Sequence, residues 1–139
     1  MWPKKLSDRA QAYCVSQEMH SGFAPLRANM PMNLRGNYPG QGLTSETKKD
    51  IARVTQIWSE CRSKFKKQGP FLFGHFTVAD AMFVPVATRF KTYGVPLSGL
   101  AAEYMETVLS LPEYRKWHST ALKEPMIIEM NEIYNPLKK

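Results

Sequence analysis

The apolar residues of this chain recur at helical spacing along most of its length. Steps of three and four residues place side chains on one face of an α-helix. No stretch of useful length alternates between apolar and polar residues as a strand would. The pattern therefore predicts an all-α fold. The clearest stripes are Ala12, Val15, Met19, Phe23 or Gly22, Leu26 and Met30, and then Ile51, Val54, Trp58, Cys61 and Phe65.

The most apolar stretch is GHFTVADAMFVP, residues 74–85. Thr77 and Asp80 stand three residues apart before an apolar run, which predicts a helix N-cap and its reciprocal partner. We expect this pair to be structural rather than catalytic. The helix that follows, from Val78 to about Tyr93, is apolar all round and is therefore expected in the core. Pro85 inside it predicts a bend.

Prolines, glycines and small polar residues mark the other boundaries. The segment 31–44 is predicted to be a loop between helices, with Thr44 or Ser45 capping the next helix. Gly69 is expected to stop its helix in the left-handed conformation, and Gly94 is expected to stop the central helix. Proline is favoured in the first turn of a helix, which suits Pro112. The result is one domain over 1–139, an irregular bundle of five or six helices. The predicted starts and inward residues are Ser7 as the first cap, a helix at about 99–111 capped by Ser98, a helix from Pro112 with Tyr114, Trp117 and Ala121 inward, and a last segment from Pro125 carrying Met126, Ile127, Met130, Ile133 and Leu137.

The first helix carries a second stripe about 100° away from its apolar one. This stripe mixes apolar and polar side chains, a composition typical of a cleft or an interface. It consists of Leu6, Ala10, Tyr13, Gln17, His20 and Ala24.

Charge and cysteine content narrow the function class. The net charge is +7, with basic residues at both termini and in the run Arg62, Lys64, Lys66 and Lys67. We interpret this run as a solvated helix end. Nucleic-acid binding is the less favoured alternative, because no aromatic residues stand among the surface basic residues as stacking platforms. Cys14 and Cys61 lack metal-ligand spacing and are expected to be buried, which favours a reducing cytoplasmic setting. No metal site, membrane span or secretory signal is expected.

Three stretches, EMHSGFAPL, GHFTVADAMFVP and LPEYRKWHSTALKEP, occur in this order. Together they resemble the C-terminal helical domain of the glutathione S-transferase family, in particular its bacterial, beta-class-like members. The resemblance implies a helical domain that supplies the hydrophobic co-substrate pocket and dimer or interdomain contacts for glutathione conjugation in detoxification. Glutathione would be a co-substrate, and no other cofactor is implied. The expected partners are a thioredoxin-like domain or a second subunit, a homodimer among them, and a small hydrophobic electrophile.

The thioredoxin-like domain that carries the activating residue in this family has no counterpart in the sequence. The chain is thus a fragment, the product of a split gene, or a single-domain protein, and we expect little transferase activity from it alone. No residue here is expected to be catalytic. The alternative is a non-catalytic assembly module of the same fold, as in translation-factor and aminoacyl-tRNA synthetase complexes.

The resemblance also suggests residues of the glutathione and co-substrate cleft. His20 matches a histidine that faces this cleft in beta-class-like enzymes. Tyr13 stands where that pattern has an asparagine, and Ser21 where it has a lysine. Met19 and Phe23 are candidates for an apolar pocket, with core packing as the favoured alternative. Tyr38, in the long loop, is a further candidate to cover the cleft.

Overall fold

A computed structural model of the chain describes residues 1–135 and contains six α-helices in that range. Two short 3-10 turns accompany them, and the β-structure of the described part is limited to two isolated bridges in the segment 71–75. The all-α prediction is confirmed. The helices are α1 (Leu6–Ser21), α2 (Ala24–Asn29), α3 (Ser45–Phe65), α4 (Val78–Thr92), α5 (Gly99–Ser110) and α6 (Pro112–Ala121), with 3-10 turns at Lys66–Gln68 and Glu129–Asn131.

Helix α4 lies at the centre of the fold, as its apolar sequence predicts. It packs against α1 on one side and α5 on the other. From α3, the fully buried Trp58 reaches α4 and places its ring 5.9 Å from Phe83 and 5.4 Å from Phe90. Tyr104 of α5 completes this aromatic cluster at 5.0 Å from Trp58. The core is therefore a contact of three helices around α4.

The ends of the helices follow the sequence signals in part. Thr44 caps α3, and its side chain accepts a hydrogen bond from the Thr47 N–H. Gly94 ends α4 with a φ of 60°, in the left-handed region where glycine is favoured. Ser7, however, does not cap α1, because that helix begins two residues earlier than predicted, with Lys5 at the N-cap position. Gly69 follows the 3-10 turn with a φ of 140° rather than a left-handed helical conformation.

The segment after α6 differs most from the sequence-based prediction. Residues 122–135 are irregular apart from the 3-10 turn. The apolar side chains of this segment are exposed, and Trp117, which was expected to point inward, is 43% exposed. An apolar side chain alone does not decide burial here. Helix α6 lies at one end of the bundle, where it packs against α5 and, through the buried Tyr114, meets Thr88 of α4, and its other face stays uncovered. The exposed side chains of the segment include Met126, Ile127, Met130 and Ile133. Leu137, Lys138 and Lys139 lie outside the described residues.

Two further predictions are wrong at the level of single side chains. Cys14 is exposed, because it lies on α1 away from the stripe that packs on α4. Arg62 is not part of a solvated helix end. It is 6% exposed, and its guanidinium donates to the carbonyl oxygens of Gly69 at 2.7 Å and Phe71 at 2.6 Å. A buried arginine thus holds the turn between α3 and α4.

Candidate functional site

Helix α1 presents three different faces. Its apolar stripe, which continues through α2 to Met30, is buried in the core. Every residue predicted to lie on this stripe is buried, with Phe23 rather than Gly22 at the position between the two helices. A second flank is tied to α3 by two ion pairs. Glu18 accepts from Arg53 at 2.7 Å, and Asp8 accepts from Lys64 at 3.2 Å. These contacts fix the rotation of α1 about its own axis, and they leave the third face uncovered.

The uncovered face is the mixed stripe of the sequence. Leu6 is 77% exposed and Tyr13 56% exposed, and Gln17 and His20 are exposed as well. The ring of Trp2 lies 5.8 Å from the ring of Tyr13, so the N-terminal residues extend this surface. The face therefore combines an apolar end, a phenol, an amide and an imidazole on one rigid helix.

The C-terminal end of α1 is held by Arg27, a residue that the sequence analysis did not single out. Its guanidinium donates to the carbonyl oxygens of Met19 and His20, the second at 2.9 Å. A cation at the last carbonyls of a helix stabilises its C-terminus. Arg27 thereby fixes the backbone that carries the His20 side chain. Only the general preference for basic residues near helix C-termini could have pointed to it.

The structure separates the four cleft candidates into two pairs. Tyr13 and His20 share the exposed face of α1. Met19 and Phe23 are 5% and 8% exposed and belong to the hydrophobic core. The burial of this second pair agrees with the core-packing alternative and places their side chains behind the exposed face rather than on it.

Tyr38 lies in an aromatic cluster near the C-terminal segment. Its ring is 6.0 Å from that of Tyr93 and 5.9 Å from that of Tyr134. Burial, followed by the nearby carboxylate of Glu132, raises the pKa of the Tyr38 phenol. The cluster joins the loop before α3 to the segment after α6.

Asp80 is a buried carboxylate at the start of α4, and its pKa is shifted. Thr77 and Asp80 form the predicted capping box, with the Thr77 N–H donating to Oδ2 of Asp80 at 2.7 Å. The Leu72 N–H and the Tyr104 hydroxyl donate to Oδ1 at 3.0 and 3.2 Å. Burial raises the pKa of the Asp80 carboxyl, and the hydrogen bonds from Leu72, Thr77 and Tyr104 oppose this rise. Its partners are all parts of the fold, which supports a structural role.

The two cysteines have opposite environments. Cys61 is 1% exposed in the core, and burial raises the pKa of its thiol to about 12. Its thiolate is therefore not populated near neutral pH. Cys14 is exposed on α1, and both thiols are free. Within residues 1–135, no group of three histidine, cysteine or carboxylate side chains could hold a metal ion, and no helix is long and apolar enough to cross a membrane.

Comparison with known proteins identifies one family. A family model described as glutathione S-transferase, C-terminal domain, matches residues 44–118, just over half of the 139-residue chain. The matched range begins at the Thr44 cap of α3 and ends inside α6, so it contains the central helix α4 and its capping box. Helix α1, with Tyr13 and His20, precedes the matched range. A search of curated proteins finds no match.

Proposed function

Because the chain belongs to the family of glutathione S-transferase C-terminal domains, we propose that it forms the helical side of a glutathione-conjugation cleft. In this proposal the exposed face of α1 lines the cleft, and a thioredoxin-like domain or a second subunit provides the opposite wall. The observation that carries the proposal is the face itself. A helix whose other two faces are buried or ion-paired keeps Tyr13, Gln17 and His20 exposed along one line.

The proposed reaction is the attack of the glutathione thiolate on a small hydrophobic electrophile. A sulfur–carbon bond forms, and the leaving group departs with the electron pair of the bond that breaks. The partner domain stabilises the thiolate, and this chain positions the reactants. The His20 imidazole serves as a hydrogen-bond donor to the thiolate or to a polar group of the co-substrate.

Tyr13 and the apolar neighbours of the face have a supporting role in this proposal. The Tyr13 phenol offers a flat apolar surface with one polar end, which suits an aromatic electrophile. Met19 and Phe23 back the face from the core and set the position of the last turn of α1. In this proposal the partner domain activates the glutathione thiol, and this chain determines the shape of the cleft.

The setting proposed for this activity is detoxification in a reducing cytoplasm, with a homodimer as one possible assembly. Two free thiols are consistent with a reducing compartment. Resemblance to beta-class-like enzymes is part of the proposal and rests on the EMHSGFAPL stretch, which lies outside the range of the family match.

A glutathione titration tests the role of the α1 face. The imidazole resonances of the three histidines are followed by NMR as reduced glutathione is added to the chain. We expect the His20 signal to move and the His75 signal, from an exposed histidine outside α1, to stay. The His20→Ala variant should bind glutathione about tenfold more weakly, the loss expected for one hydrogen bond to a charged group. His75→Ala is the matched control and should bind like the wild type.

Three outcomes would contradict the proposal. Equal glutathione affinity of the wild type and His20→Ala would remove His20 from the cleft. Clear conjugation of glutathione to 1-chloro-2,4-dinitrobenzene by this chain alone would show that it needs no partner domain. If glutathione moves no resonance at all while a protein partner covers α1, the face belongs to an assembly module instead.

A further inference from the structure

A cavity of about 520 Å³ lies at the end of the bundle that holds α6. It is open to solvent on one side and is lined by the loop at 32–35, by α6 and by the segment 124–132, and no residue of α1 lines it. We propose that this cavity binds a compact, neutral, mainly aromatic small molecule that carries a hydrogen-bond acceptor. The proposal goes beyond the conjugation cleft, because it concerns a separate site built from different elements.

The walls of the cavity are mostly apolar and come from all three elements. Met32 and Leu34 contribute from the loop, Trp117 from α6, and Ile127 and Ile128 from the last segment. Trp117, Ile127 and Ile128 are 43%, 53% and 55% exposed, so their apolar surface is uncovered in the free chain. Ligand pockets have volumes of about 300–1,000 Å³ and are lined mainly by such side chains. An indole at the wall offers a stacking surface for an aromatic ring.

Asn33 provides the polar feature of the cavity. Its side chain lines the cavity although the residue is only 6% exposed. Oδ1 accepts hydrogen bonds from the N–H groups of Arg35 at 3.1 Å and Gly36 at 2.8 Å, which fixes the orientation of the amide. No residue of the described range accepts a hydrogen bond from its Nδ2. Within residues 1–135, Trp58 Nε1 is the one buried side-chain polar atom without a hydrogen-bond partner, so Asn33 Nδ2 remains in contact with water. A ligand oxygen would replace that water and accept the hydrogen bond from Nδ2.

The charges around the cavity favour a neutral ligand. Arg35, Glu124 and Glu132 are the charged residues that line it. The Arg35 guanidinium already donates to the Glu124 carbonyl oxygen. The two carboxylates outnumber the arginine, which disfavours an anion, and the mostly apolar walls disfavour the burial of any unpaired charge. A neutral aromatic ketone fits both features of the cavity. Its aromatic ring suits the apolar walls, and its carbonyl oxygen can accept a hydrogen bond from Asn33.

The last segment is attached on both sides of the cavity. Arg35 binds the backbone at Glu124, and the Tyr134 hydroxyl donates to the Asn29 carbonyl oxygen at 2.8 Å. The Tyr134 ring also lies 5.8 Å from that of Tyr93. These two attachments hold the segment 126–132 over the cavity, so its apolar side chains form a wall at a defined position.

The binding test uses prodan, a neutral naphthyl ketone whose fluorescence shifts to the blue in apolar surroundings. We expect saturable binding with a blue shift by the wild-type chain. Thr120 lines the cavity, and Ser119 beside it does not, although both are exposed and both hydroxyls donate to the Lys116 carbonyl oxygen. Thr120→Trp should therefore weaken prodan binding about tenfold or more by filling the cavity. Ser119→Trp is the matched control and should leave it unchanged.

The Asn33→Asp variant tests the hydrogen bond from the Asn33 amide to the carbonyl oxygen of the ligand. It keeps the oxygen that accepts from Arg35 and Gly36 and removes the amide donor. We expect it to weaken prodan about tenfold, the value of one hydrogen bond, and to leave N-phenyl-1-naphthylamine, which has no carbonyl acceptor, unaffected. The proposal is overturned if prodan does not bind, if the two tryptophan variants behave alike, or if Asn33→Asp weakens both probes equally. If prodan does not bind and Thr120→Trp dissociates a dimer seen by sedimentation, a second copy of the chain occupies this surface instead of a small molecule.

Discussion

Asp80 joins three segments through one carboxylate. It accepts hydrogen bonds from the turn before α4, from the N-cap residue Thr77 and from Tyr104 of α5. The residue itself is fully buried. A buried donor that loses its acceptor retains the full cost of its desolvation. The Asp80 carboxylate therefore contributes more to the free energy of unfolding than an ordinary helix cap does.

Asp80→Ala should therefore lower the free energy of unfolding by about 3 kcal/mol, because it leaves two backbone N–H groups, the Thr77 hydroxyl and the Tyr104 phenol without this acceptor. Urea denaturation followed by circular dichroism measures the change. Glu46→Ala is the control, since Glu46 is also a first-turn carboxylate but is exposed on α3. A transition midpoint for Asp80→Ala equal to that of Glu46→Ala would contradict the structural role of Asp80.

At the scale of elements, the connection between α3 and α4 is the most tightly specified part of the chain. Gly69 adopts a φ of 140°, and a Cβ placed there would lie 2.2 Å from the Gly74 carbonyl oxygen. Arg62 binds two carbonyl oxygens of the same turn, at Gly69 and Phe71. The Leu72 N–H of this turn donates a hydrogen bond to the Asp80 carboxylate. The start of the central helix thus depends on an arginine from the end of the preceding one.

Arg62→Met should reduce the free energy of unfolding by about 2 kcal/mol. The substitution keeps an apolar stem of comparable length but removes two charge-assisted hydrogen bonds to the carbonyl oxygens of the partly buried residues Gly69 and Phe71. Thermal unfolding followed by circular dichroism gives the difference. Lys66→Met, at an exposed basic residue four positions later, should have little effect. If both variants melt together, the turn does not depend on Arg62.

At the scale of the whole molecule, most of the exposed large apolar residues in the range 1–135 fall into two groups. One lies on and beside α1, with Leu6 and Tyr13, and the other on the last segment, with Met126 and Met130 among its members. Uncovered apolar surface of this kind favours association with a partner. In the proposed function the first group contacts the partner domain, so the chain alone should self-associate through it.

Leu6→Gln tests this expectation at constant charge. We expect the wild type to shift to larger species with rising concentration in sedimentation velocity, and Leu6→Gln to remain smaller. Met130→Gln is the control, since Met130 is 79% exposed on the last segment, and it should behave like the wild type. The reverse order of the two variants would assign the association surface to the last segment.

The sequence by itself determined the elements whose physics is local. The three- and four-residue spacing of α1 identified its buried face, and Thr77 with Asp80 identified the start of α4, because periodicity and capping act within one or two turns. These features also placed Tyr13 and His20 on the one remaining face, whose role in a cleft stays a proposal.

Only the tertiary structure decided which apolar and charged side chains the neighbouring elements cover. Arg62 stands in a run of lysines, yet it is buried because a turn nine residues later supplies carbonyl oxygens to it. Trp117 and Ile127 have core-like side chains, yet they remain exposed because α6 lies at the end of the bundle. For these residues, burial depends on which neighbouring element packs over the side chain, and the local sequence pattern does not specify that packing.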